Sequence, residues 1–92
     1  MPKIIKLEEA NDSKKKFIVT FDTGKKTKFG NFGSPDYTLT GDKVRRELYR
    51  ARHKKDLDTK DPTRAGYLSY YILWGESTSI NQNVKDFNKR FG

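Results

Sequence analysis

The chain has 92 residues, with 20 Lys+Arg against 12 Asp+Glu for a formal net charge of +8, and it has no cysteine. This length allows one small domain with a modest core; the missing thiols exclude a disulfide framework and a thiolate metal site, and the single His53 cannot build a metal centre alone. Apolar residues are 33% and charged residues 35%, but 13% of the chain is aromatic, enough to fill a thin core and argue against disorder.

Residues 3–7 alternate apolar and basic side chains and predict a short strand. Residues 8–13 are a polar turn region. Phe17, Val19 and Phe21 recur at period two, so residues 15–21 predict a strand. Asp22-Thr23-Gly24-Lys25 reads as a tight turn with Gly24 at positive φ, and residues 26–29 return as the next strand. Residues 1–30 thus form a basic β-meander, a hairpin with residues 3–7 as its third strand. Residues 31–40 are expected to be loop, with Phe32 and Tyr37 pinning it to the core, the favoured reading, or presenting it to a partner.

Residues 41–92 are expected to be helical. Thr40 or Asp42 caps a helix running to about Lys54, with Val44, Leu48 and Ala51 on one narrow apolar face. That pattern suits a surface helix laid on a small sheet, and equally a helix that binds polyanions. Asp61-Pro62 predicts the start of a second helix, extending to about Trp74 and closed by Gly75. Tyr67, Tyr70, Tyr71, Leu73 and Trp74 make it apolar nearly all round, so Tyr67, Tyr70, Tyr71 and Trp74 are expected in the core or at a protein contact. Ser79 and Gln82 fit a capping box for a last helix with Ile80, Val84, Phe87 and Phe91 on one stripe. Strands followed by helices give the class α+β, with a small antiparallel meander packed with two to three C-terminal helices in a single domain, 1–92.

The basic excess sits in the first two thirds of the chain. Seven Lys and Arg fall between Lys43 and Lys55 against one acid, Glu47. Such a field attracts polyanions. The residues expected to meet them are Arg45, Arg46, Arg50, Arg52, His53, Lys54 and Lys55, together with Lys25, Lys26 and Lys28 of the hairpin; Lys14, Lys15 and Lys16 add to the hairpin ends. No helix-turn-helix or RNA-recognition pattern is present, so the expectation is backbone contact without sequence readout. No base stands beside a nucleophile, and Gly30-Asn31-Phe32-Gly33 lacks the Lys-Ser/Thr of a phosphate-cradling loop. No enzyme activity, cofactor, metal or small-molecule substrate is expected. The longest apolar run, residues 70–74, is far short of a membrane span, and the N-terminus lacks a signal-peptide core; a soluble protein without membrane insertion is expected.

Several ordered motifs carry a family resemblance over the last two thirds of the chain. They are Phe29-Gly30 with Ser34 and Asp36-Tyr37-Thr38; Asp42-Lys43 and Arg46; Tyr49-Arg50-Ala51-Arg52-His53; Asp61-Pro62; Ala65-Gly66-Tyr67-Leu68-Ser69; Leu73-Trp74; Ser77 to Ser79; and Lys89-Arg90-Phe91. In these the chain resembles a family of small basic proteins of large nucleocytoplasmic DNA viruses, the giant viruses. It departs from the family at Leu57, where the family has Trp, and around Tyr67, Tyr70 and Tyr71, where it has Phe, Trp and Arg types. The resemblance implies a viral setting: the virion, with host cytoplasm or nucleus before assembly. Joined to the apolar helix and thin core, it implies a structural protein, a minor capsid or cement component binding other virion proteins or itself. The alternative is a sequence-nonspecific DNA-binding or genome-packaging protein with double-stranded DNA as its partner.

Overall fold

The alternation of Phe17, Val19 and Phe21 forms the centre of a sheet. In the computed structural model, which describes residues 3–11 and 13–92, strands β1 (Ile4–Glu9), β2 (Lys15–Phe21) and β3 (Lys26–Asn31) make an antiparallel meander in the order β1-β2-β3. Leu7 pairs with Val19, Val19 with Thr27, and Phe17 with Phe29. Alternation sends these apolar residues and Phe21 to one face, where Val19, Phe21 and Phe29 are fully buried. β1 runs two residues past the predicted strand, because Glu8 and Glu9 find partners in Ile18 and Phe17. An irregularity between Ile4 and Lys6 accompanies the exposure of Ile5. In the β2–β3 turn, Gly24 takes φ 91° and donates its N–H to the Phe21 carbonyl, as the sequence predicts.

The expected loop over residues 31–40 is shorter than that, because Asp36 starts a helical turn. Its Oδ1 accepts the Thr38 N–H at 2.9 Å, giving α1 (Tyr37–Thr40), which Gly41 closes at φ 64°. Tyr37 is buried and pins this segment, but Phe32 is 66% exposed and pins nothing. The second anchor is ionic. Lys16 Nζ meets Asp36 Oδ2 at 2.6 Å, with the Asp36 side chain only 3% exposed, and the same ammonium donates to the Ser34 carbonyl.

Asp42, rather than Thr40, caps α2 (Lys43–His53), accepting from the N–H groups of Val44 and Arg45. A 3₁₀ stretch, Lys54–Thr59, follows. The next helix starts three residues later than predicted. Asp61 turns its Oδ1 to the N–H and hydroxyl of Thr63, and Thr63 is tied to β3 through Thr27 and to Lys25, so residues 62–64 form a docked turn. The helix proper is α3 (Ala65–Leu68), which widens into a π turn over Ser69–Leu73; the Trp74 N–H reaches the Ser69 carbonyl, five residues back. Leu68, Ile72, Leu73, Tyr67, Tyr70 and Trp74 are all buried, so this chain itself covers the all-round apolar helix. In α4 (Ile80–Phe91), Ser79 Oγ accepts from the Gln82 N–H, but the Gln82 side chain donates to Asp86 instead of back to residue 79; half the capping box forms. Phe87 is fully buried and tilted against Phe21, and Asn88 bonds both the N–H and carbonyl of Ile4, fastening α4 to β1. The fold is α+β, one apolar cluster between sheet and C-terminal helices. No described helix is long and apolar enough to cross a membrane.

Candidate nucleic-acid interface

Helix α2 lies the other way up from its amphipathic pattern. Val44 is 70% and Leu48 58% exposed, Ala51 is exposed too, and the helix has no buried residue. The reason is hydrogen bonding. The π turn and the bend after it leave carbonyls with no intrahelical donor, and α2 supplies donors. Arg46 Nε reaches the Gly75 carbonyl at 2.6 Å; Arg50 Nη1 reaches the Trp74 carbonyl at 2.8 Å and approaches that of Tyr70 at 3.5 Å. The Arg50 guanidinium also lies over the Tyr70 ring, 4.1 Å from its centroid. From the other side Asn83, 1% exposed, donates to the carbonyls of Ile72 and Ser77 and accepts the Ser77 N–H. A Cβ on Gly75 would sit 2.2 Å from the Tyr71 carbonyl oxygen, so only glycine fits at this closure.

Between these arginines, Tyr49 stacks on Trp74 (4.4 Å, 8°) and His53 stacks on Tyr49 (4.2 Å, 24°). Burial pushes the Tyr49 hydroxyl above its usual range, helped by the Asp56 charge and opposed by the Ser69 hydroxyl. The stack covers both faces of Tyr49, which could otherwise hold bases. His53 Nδ1 lies 3.2 Å from Asp56 Oδ2.

Beside the stack lies a cleft of about 560 Å³ between the start of β2, the loop before α1, and the end of α2. Its polar walls include Lys15, Lys16, Asn31, Arg52, His53 and Ser69, and two carboxylates, Asp36 and Asp56, also face it. Lys16 is committed to Asp36, and His53 to Asp56. Lys15 and Arg52 have no acidic partner among the described residues. Lys54 and Lys55, both exposed, continue the chain from this wall. Arg50 and Arg52, in the last turn of α2, also complement the negative end of the helix dipole.

The expected polyanion residues therefore divide. Arg52 and His53 line the cleft; Lys54 and Lys55, next in the chain and exposed, are not among its walls, and Arg45 is exposed on the outer face, 3.8 Å from Asp42. Arg46 and Arg50 turn inward to the carbonyls. Lys25 bonds to Thr63, and Lys26 and Lys28 are exposed near the other end of the hairpin, outside the cleft walls. Lys15 and Lys16, one charge cluster among several in the sequence, supply the hairpin's share of the cleft. Tyr67, Tyr70 and Trp74 are core; Tyr71 is half-buried between the rings of Tyr67, Tyr70 and Phe91. Asn83, which organises the helix closure, carries no signal in the sequence beyond its place between apolar positions. Among the described residues no group of three or more acids or histidines is placed to hold a metal ion.

No curated protein and no solved structure matches the chain. Residues 5–53, more than half of its length and spanning the meander, α1 and α2, match a family of unknown function, DUF5754. The chain belongs to the DUF5754 family.

Proposed function

We propose that this protein is a non-enzymatic, sequence-nonspecific DNA-binding protein, with duplex phosphates seated in the cleft between the start of β2 and the end of α2. One observation carries the reading: basic side chains far apart in sequence, Lys15 and Arg52, line a single concave surface, and two further exposed lysines, Lys54 and Lys55, follow Arg52 in the chain. The ring stack beside it favours duplex over single strands. Tyr49 has a ring on each face and Trp74 is 9% exposed, so neither offers an open face to a base, and the main contact left for a nucleic acid is backbone charge contact rather than base stacking. The family resemblance supports a viral setting, with packaging or condensation of a DNA genome as the role.

The test is fluorescence anisotropy of two unrelated duplexes across a salt series. Both should bind alike, and log K should fall linearly with log salt at about 0.9 per phosphate neutralised. Absence of binding at low salt, or binding indifferent to salt, refutes the reading.

A second reading, a minor capsid or cement component of a large DNA virus, is favoured by a different observation. Phe32, Leu39, Val44 and Leu48 are large apolar side chains left exposed. The aromatic helix does not support it, because that helix is interior.

A further inference from the structure

Next to the cleft, α2 carries a second pattern. Arg45, Leu48, Tyr49 and Arg52 stand at i, i+3, i+4 and i+7, on one side of the helix. They line a groove of about 360 Å³ whose remaining walls are Pro35 and Trp74. The floor is apolar and rigid, since Tyr49 and Trp74 are locked in their stack. The rims are guanidinium groups. Arg45 has only a long, exposed contact to Asp42, and Arg52 has no acidic partner among the described residues. Seven residues of helix separate the two arginines, about 10.5 Å along the axis.

We infer that this groove docks an acidic amphipathic helix of another protein, with one or two apolar side chains on Leu48 and Trp74 and a carboxylate at each end for Arg45 and Arg52. Charge chooses the occupant. A second copy of this chain would bring the same arginines to the interface, at a net charge of +8 per copy. Its other amphipathic helix, α4, spends its apolar stripe on its own core. DNA has charge for the arginines but nothing for the apolar floor. A helical partner matches the spacing, because acids seven residues apart on a helix recur at the same 10.5 Å on one face, with apolar positions three and four residues in between.

This inference goes beyond the DNA reading and stands without it, although Pro35, Tyr49, Arg52 and Trp74 border both surfaces. Leu48 lines the groove and not the cleft, and it is 58% exposed, so it separates the two without endangering the fold. The probe is a labelled, side-chain-stapled helical peptide of about fifteen residues carrying Glu-x-x-Leu-Leu-x-x-Glu. It should bind wild type saturably and lose about tenfold or more in affinity to Leu48→Gln. The same peptide with both Glu replaced by Gln should bind as weakly to wild type. Duplex binding, measured in parallel, should be equal for wild type and Leu48→Gln. Three outcomes overturn the inference: no peptide binding, peptide binding unaffected by Leu48→Gln, or a wild-type dimer by sedimentation that Leu48→Gln dissolves.

Discussion

At the scale of single residues, identity and role come apart most clearly among the arginines of α2. Arg45, Arg46, Arg50 and Arg52 look alike in sequence, yet two of them complete the hydrogen bonding of a neighbouring helix and two face solvent. Removing Arg50 strands the Trp74 carbonyl and uncovers the Tyr70 ring. Arg50→Ala should therefore cost about 2 kcal/mol in urea denaturation, whereas Arg45→Ala should stay within about 0.5 kcal/mol of wild type. Equal effects would remove the distinction between inner and outer arginines. Lys16 shows the same division within the hairpin. Its ion pair with the buried Asp36 holds the loop, so Lys16→Ala should cost about 3–5 kcal/mol by leaving that carboxylate uncompensated. Such roles are invisible in the sequence because a basic side chain reads alike whether its partner is a carbonyl, a buried acid or water. What was legible at this scale was backbone chemistry: Gly24 in the turn, Asp42 and Ser79 as caps, and Gly75 as the end of the aromatic helix.

At the scale of elements, periodicity located β2 and identified the buried face of α4, and capping chemistry left the start of α2 open between Thr40 and Asp42 while placing its end within a residue. Periodicity misjudged which way α2 faces, for a physical reason. Its apolar stripe is only Val44, Leu48 and Ala51, and burying those three competes with satisfying the carbonyls of Trp74 and Gly75. The hydrogen bonds and the Tyr49–Trp74 stack prevailed. The late start of α3 has a similar origin, in side-chain bonds from Asp61 to Thr63 that favour a turn over a helical start. The stack that seats α2 also has a signature in pH. Burial raises the Tyr49 hydroxyl above the ordinary 10.0, so the folded state favours the neutral phenol. Its contribution is complete below pH 10, then falls as the pH rises from there to the folded value, because the unfolded chain ionises first. Tyr49→Phe lacks this loss. Tyr67, also raised by burial, is common to both proteins and cancels in the comparison. The stability gap between wild type and Tyr49→Phe should thus shift against wild type between pH 9 and pH 11 in urea titrations. A gap that stays constant would mean that the hydroxyl is not desolvated.

At the scale of the whole molecule, composition announced a basic protein without saying where the charge is displayed. The fold answers by concentration: Lys15 and Arg52 line one cleft, while other cations are spent internally or lie outside its walls. A cleft of this kind depends on the β2 end, the loop before α1 and the end of α2 coming together, and no local pattern encodes that meeting. The central claim is that DNA recognises this placement and not simply the net charge of +8. The most direct measurement compares Lys15→Glu/Arg52→Glu with Lys85→Glu/Lys89→Glu, two double reversals that change net charge equally, the second at exposed positions of α4 outside the cleft. Duplex affinity across a salt series should fall steeply for the first pair, with the salt slope lower by about 2, and change little for the second. Equal losses in the two variants would contradict the account, because they would show that the charge acts from anywhere on the surface.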